Sequence, residues 1–326
     1  MLLSLLLSQA RAADGPPPVT VKVGGVLFAH YGYELTEGAD GFNEFGIDRT
    51  YLNANATIGE KFGARLTLDS DRLKITDAAG EPADTKLRPY VKYAYLEYKG
   101  PAEGLKIRGG MIDTGYVGYY DDFWGHRFVG KHIADEAGIL NTADFGVSIQ
   151  GQHAKGLVSW HVAALNGEGY GKTEVDAGKT GQARITVDPL APGGNMNLPI
   201  TAFVSYGGEP STDTTKLLYA GAVGFKMPYV VFWADYLGQS EGGVSGSAIS
   251  VSAIPRIPKV AGLLLRYDMA DPDTATADDG FSRLAAGPTK QLYDKVDLAV
   301  LYERTTQESA PTLPDHGLFV RAQAGF

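Results

Sequence analysis

The chain has 326 residues, 44% of them apolar, and a formal net charge of −9; it can bury a core, which argues against a disordered chain. Its acidic balance argues against a general nucleic-acid binder. Cysteine is absent, so no disulfide framework or thiolate metal site can form, and no run of about 18 apolar residues is present to make a membrane-spanning helix.

Met1–Leu7 reads MLLSLLL and leads to Ala10-Arg11-Ala12, a small-residue cleavage pattern. Residues 1–12 are therefore expected to be a signal peptide, although no Lys or Arg stands ahead of the apolar run. Residues 13–18 form a Pro-rich spacer ending in Pro16-Pro17-Pro18. Consecutive prolines neither continue a helix nor join a ladder.

From Val19 the dominant period is two, the mark of strands with one apolar face. Phe62, Ala64, Leu66 and Leu68 oppose Arg65, Thr67 and Asp69. Ala183, Ile185 and Val187 oppose Arg184, Thr186 and Asp188. Leu318, Val320, Ala322, Ala324 and Phe326 oppose Arg321 and Gln323. The pattern predicts strands over 19–33, 45–58, 62–73, 89–99, 105–113, 145–153, 157–166, 180–188, 199–206, 216–227, 229–238, 247–254, 260–268, 281–291, 296–304 and 316–326. Prolines fall at the edges or in the gaps, except Pro288, which sits inside 281–291. Fourteen strands is the alternative count, and 281–291 is the segment in question.

Tight gaps such as 59–61, 154–156 and 294–295 alternate with longer ones such as 34–44, 74–88, 114–144, 167–179 and 269–280. That rhythm predicts an all-β, antiparallel, up-and-down meander spanning 19–326. A sixteen-stranded barrel is too wide to fill with side chains. Its apolar face is then expected to point into lipid around a polar lumen, and closure satisfies every backbone polar group in a bilayer. Tyr33, Tyr206, Tyr229, Tyr236 and Tyr267, near strand ends, fit an interfacial aromatic girdle.

The terminal Phe326, with apolar residues at alternate positions back to Leu318, resembles the C-terminal signal of bacterial outer-membrane barrels. Arg49-Thr50-Tyr51-Leu52, Phe62–Asp69, Lys92–Tyr98, Asp144–Val147 and Asn166–Tyr170 resemble porin families related to the phosphate-selective porins. The resemblance implies an integral barrel of the outer membrane, surrounded by lipid, folded by the barrel-assembly machinery with Phe326 as its signal. It further implies a homotrimer that passes small hydrophilic solutes or ions, with both termini periplasmic. The family's basic phosphate ladder does not carry over, because acids stand beside the arginines here.

The lumen face is expected to carry Arg49, Arg65, Arg108, Arg184, Arg266 and Arg321, with Asp69 and Glu97 among the acids. Opposed charges on a pore wall bias which ion passes; the bland reading is that they pair with one another and keep the lumen wet. Residues 114–144 form the third long loop, rich in aromatics. Such loops fold inward in general porins, so Asp121, Asp122, Arg127 and Lys131 are expected to line a constriction; a lid on the outer rim is the alternative. No metal, cofactor or enzyme motif stands out: H-E-x-x-H, G-x-S-x-G and the phosphate-binding glycine loops are all absent. His161 lies two residues from Ser159 on the same face, the only hint of a barrel hydrolase. The expected function is passive diffusion, and a closed structural or adhesive barrel is the rival.

Overall fold

The computed structural model describes residues 17–72, 75–76, 82–84, 86–102, 104–175, 177–209, 214–309 and 314–326. The expected signal peptide lies outside these residues, as does the spacer apart from Pro17 and Pro18.

The first half of the barrel comprises β1 (Val19–Glu34), β2 (Asn43–Ile58), β3 (Phe62–Arg72), β6 (Leu87–Lys99), β7 (Lys106–Asp113), β8 (Ala143–His153), β9 (Val158–Leu165) and β10 (Thr180–Val187). The second half comprises β11 (Ile200–Glu209), β12 (Thr214–Met227), β13 (Val230–Glu241), β14 (Val244–Ile257), β15 (Ala261–Asp271), β16 (Phe281–Tyr293), β17 (Val296–Gln307) and β18 (Asp315–Gly325). Each strand pairs antiparallel with its neighbours, and β1 closes on β18. A small separate hairpin, β4 (Ile75–Thr76) with β5 (Pro82–Asp84), stands between β3 and β6. The barrel therefore has sixteen strands, including the one that contains Pro288.

Pro288 is tolerated for a local reason. It keeps its partner Leu263 on β15, while the pairing of β16 with β17 skips Gly287 and Pro288. A proline lacks the N–H such a ladder needs.

Two connections depart from the expected rhythm. Residues 188–199, at the end with tight turns, make a longer connection built around Asp188. Its Oδ1 accepts from the backbone N–H of Leu190, Ala191 and Leu198, and its Oδ2 from Asn197. At the other end β13 and β14 meet through Gly242-Gly243 alone. Val244, Ser245 and Gly246, which fall between the predicted strands 229–238 and 247–254, belong to β14.

Side chains alternate across the wall as a period-two strand requires. On β10, Ile185 and Val187 are exposed outside, while Gln182, Arg184 and Thr186 are buried inside. Two β-bulges break the alternation and add inward charges. The shift between Phe28 and Ala29 against β2 leaves Asp48 extra, so Asp48 and Arg49 both face the lumen. The shift between Thr67 and Leu68 against β6 does the same for Lys92 beside Tyr93. A bulge gives one strand an unpaired residue and re-aims its neighbour.

Apolar side chains gather on one side of the lumen, among polar ones such as Asp235 and Asp268. From β11 to β17 the inward face carries Phe203, Leu218, Trp233, Leu237, Leu264 and Leu301, all buried. The strand pattern predicts a polar lumen and gives no sign of this stripe. The inner apolar stripe exists because the long connection between β7 and β8 lies against it.

Candidate functional site

Residues 114–142 enter the barrel and make α1 (Val117–Trp124), a single 3-10 turn (Arg127–Val129) and the short α2 (Ile133–Glu136). Gly125 ends α1 in the left-handed region (φ 71°), where its N–H caps the Asp121 carbonyl; a residue without a Cβ takes that conformation at least cost. Tyr116, Tyr120, Trp124, Phe128 and Ile133 are buried against the apolar stripe. The Trp233 ring contacts Tyr119, Tyr120 and Phe123 at centroid distances of 6.2, 5.6 and 5.3 Å. Burying several large rings drives such docking at roughly 1.5–3 kcal/mol per side chain.

Polar anchors fix the register of the loop on that wall. Tyr116 donates its hydroxyl to Asp235 Oδ2 at 2.7 Å, and His132 Nε2 meets the same oxygen at 2.7 Å. Lys226 Nζ donates to the Phe123 carbonyl at 2.8 Å. Arg266 and Arg283 both bind Asp268, and both donate to the carbonyl of Lys131.

The opposite face of the loop looks across a cavity of about 600 Å³ toward the polar wall. Six cationic side chains line it (Arg65, Lys92, Lys106, Arg108, Arg127 and Arg184) against three carboxylates (Asp113, Asp121 and Asp122). Tyr51, Tyr93, Tyr119 and His161 also line it. Several cations are held in place by aromatic faces. The Arg184 guanidinium carbon stands 4.2 Å from the Tyr119 ring centroid, that of Arg65 4.6 Å from Tyr93, and that of Arg108 4.9 Å from Tyr95. A guanidinium over an aromatic ring is both oriented and stabilised.

Ion pairs consume part of this charge. Arg108 binds Glu97 at 2.9 Å and Asp113 at 2.5 Å. On the loop, Arg127 reaches Asp121 at 3.3 Å and Asp135 at 3.2 Å. Burial pushes the Asp121 carboxyl above its usual range, with Arg127 pulling the other way. Asp122 is also pushed up, by burial and by its Asp121 and Asp113 neighbours. Burial lowers the basicity of His126, whose Nδ1 lies 2.9 Å from the Trp124 carbonyl oxygen.

The residues expected at a constriction divide as follows. Asp121, Asp122 and Arg127 line the cavity. Lys131 serves the far wall through its carbonyl. Among the expected lumen charges, Arg65, Arg108 and Arg184 line the cavity and Glu97 is held against Arg108. Arg49 and Asp69 are buried together at 3.3 Å, and Tyr90 and Lys92 share the same Asp69 oxygen. Arg266 anchors the loop. Arg321 pairs with Glu303 at 2.5 Å and with Asp48 at 3.4 Å. Sequence reasoning missed Lys92, Asp48 and Asp113 as inward groups. For Lys92 there was a signal: in strict alternation it falls on the outer face with Ala94 and Leu96, where a charge is out of place.

The hydrolase hint has no geometric support. Ser159 accepts from Arg184 at 3.3 Å, and neither ring nitrogen of buried His161 meets a partner among the described residues. His153 accepts from Trp160 at 3.2 Å at the tight-turn end of β8. Among the described residues, no group of three His, Cys, Asp or Glu side chains could hold a metal ion.

No family model and no curated protein matches the chain. Solved structures do match in fold. Salmonella typhi OmpF, in complex with daunomycin, aligns with TM-score 0.69 at 12% identity, over 94% of this chain and 97% of that one. An anion-selective porin from Comamonas acidovorans aligns with TM-score 0.67 at 11% identity, over 95% and 100%. The trimer form of OmpT, an outer-membrane protein of Vibrio cholerae, aligns with TM-score 0.63 at 13% identity, over 94% and 99%. The chain has the fold of the outer-membrane porin barrels.

Proposed function

We propose that this protein is a porin, integral to the bacterial outer membrane, through which small hydrophilic solutes and ions diffuse passively. The observation that carries the reading is the cavity between the inward loop and the polar wall, with cations on the wall and two carboxylates on the loop. Such an arrangement sets up a transverse field, and the sign of the lining biases the ions that pass. Six cations against three carboxylates favour anions, despite the chain's net charge of −9. Residues 114–144 then act as the constriction, with Asp121, Asp122 and Arg127 at its edge.

The same reading makes outer-membrane lipid the surroundings of the outer apolar face, places both termini in the periplasm after removal of residues 1–12, and uses Phe326 as the signal for the barrel-assembly machinery. A homotrimer is favoured by the trimer form of the V. cholerae barrel. The strand motifs shared with the phosphate-selective porins support kinship at the level of the resemblance. No covalent step is assigned to any residue, and no cofactor is invoked.

A closed, adhesive barrel is the second reading, favoured by one observation: the loop packs as an apolar core across the inner face from β11 to β17. Conductance separates the two. Purified protein in a planar bilayer under a KCl gradient should give discrete steps and a reversal potential of anion-selective sign. Insertion without current would remove the porin reading.

A further inference from the structure

Fixed charge is segregated along the axis of the barrel. At the loop end, connections 35–42 and 272–280 carry Glu37, Asp40, Asp273, Asp278 and Asp279 and contain no Lys or Arg. Glu308 follows β17 at the same end. None of these six carboxylates makes an ion pair with a described residue.

The tight-turn end has the opposite sign. Lys61, Lys155, Lys259 and Lys295 stand in four of its turns, with Glu60 and Asp294 beside two of them. The constriction cavity adjoins two further cavities at this end. It shares Gly125 and Gln323 with one, and Lys106, Tyr119, Gln150 and Arg184 with the other. The first, of about 600 Å³, has Arg256, Lys259 and Lys295 in its lining, against Asp294 and Asp297. The second, of about 530 Å³, has Lys106, Lys155 and Arg184. Its one carboxylate, Asp188, is occupied by the connection it organises. None of these six cations makes an ion pair with a described residue.

The two ends act separately. β13 has 12 residues, which rise about 3.3 Å each along a strand tilted by about 40°, so the mouths lie about 30 Å apart. The screening length is about 10 Å in about 0.1 M salt, so neither mouth cancels the field of the other. Mobile cations therefore collect at the acidic mouth and mobile anions at the basic one. With the loop end positive, both are driven toward the constriction, where salt accumulates and conductance rises. With the loop end negative, each leaves through its own mouth while the opposite mouth excludes its replacement, and the constriction is depleted.

We infer that the pore is an ionic rectifier, passing more current when the loop end is positive than when it is negative. The inference rests on the porin reading, and its test separates the two.

The test is the current–voltage curve of single channels of the full-length protein in a planar bilayer with the same KCl solution on both sides. The chain has no cysteine, so Glu37→Cys, coupled to a membrane-impermeant maleimide from one chamber, reports which chamber the loops face. In about 0.1 M KCl, current with the loop chamber positive should exceed the reverse current about twofold. In about 1 M KCl the screening length falls to about 3 Å, and the ratio should approach one. Lys259→Gln with Lys295→Gln, and separately Asp278→Asn with Asp279→Asn, should each lower the ratio. The salt dependence of the wild type carries the test by itself if either double variant fails to fold. Three results would overturn the inference and leave the porin reading standing: equal currents at both polarities in dilute salt, a larger current with the loop chamber negative, or an asymmetry that persists in concentrated salt. No current at either polarity would remove both.

Discussion

Tyr116 and Asp235 stand 119 positions apart in the chain and 2.7 Å apart in space. Asp235 belongs to the barrel wall and Tyr116 to the first turn of the inward loop, so this hydrogen bond ties the loop to the scaffold. His132, at the start of α2, takes the same carboxylate oxygen. One buried side chain therefore holds the starts of both helices.

Asp235→Ala leaves the Tyr116 hydroxyl and the His132 ring without that partner. Each unpaired buried group is expected to cost about 1–3 kcal/mol. Tyr116→Phe keeps the His132 contact and should cost about half as much. The measurement is the thermal unfolding midpoint in detergent, alongside open-channel current noise. The expected order is wild type, Tyr116→Phe, Asp235→Ala, with noise rising as stability falls. Unchanged noise in Asp235→Ala would mean that the loop is held by its apolar face alone.

Arg127 stands on the loop edge of the cavity and Arg108 on the wall opposite. Arg127→Glu reverses one charge and should move the reversal potential under a KCl gradient toward cations. Arg108→Glu should do so more strongly, because it also leaves Glu97 and Asp113 without their guanidinium. Unchanged selectivity in Arg127→Glu would place that residue off the conducting path.

Asp121 and Asp122 are both pushed above the usual carboxylate range, chiefly by burial. As pH falls from neutral they become protonated before an ordinary aspartate near pH 4 would. The cavity then loses negative charge while its arginines and lysines keep theirs. Anion preference should therefore rise on acidification, with the change complete at a higher pH than exposed carboxylates allow. Asp122→Asn should show part of that preference already at pH 7 and a smaller further change. A selectivity independent of pH between 7 and 4 would contradict the placement of these acids.

The barrel closes where Gly25 and Phe326 exchange two backbone hydrogen bonds of 3.0 Å. A Cβ on Gly25 would stand 2.6 Å from the Tyr51 carbonyl oxygen and would also strike the Phe326 ring. Gly25→Val should prevent this close approach, and deletion of Phe326 should remove both the seam bonds and the exposed terminal aromatic. Both variants are expected to yield less heat-modifiable, folded barrel on a cold gel. The deletion should lose more of it in cells than in detergent refolding if Phe326 is also read during assembly. Equal yields for the deletion in both settings would leave Phe326 a purely local role.

The strands themselves were legible in the sequence, down to the one containing Pro288, because a barrel strand with an apolar outer face and a polar inner one must repeat every second residue. Phe62–Asp69 and Leu318–Phe326 state their own inward and outward faces. Which charges face inward was legible only where alternation is unbroken, as for Arg65, Arg108 and Arg184. Asp48 and Lys92 became lumen groups through bulges, and a bulge is decided by pairing with the neighbouring strand. The apolar inner stripe at Phe203, Leu218 and Trp233 was unreadable for a different reason. A residue's own strand says only which face it occupies, and its meaning there depends on a loop many positions away. The fate of Lys131 shows the same dependence: its charge suggested a pore-lining role, while its carbonyl is what Arg266 and Arg283 bind. Local periodicity, set by backbone geometry, thus determined the barrel; the long-range docking of one loop, set by side-chain packing and buried ion pairs, decided where a solute path can lie.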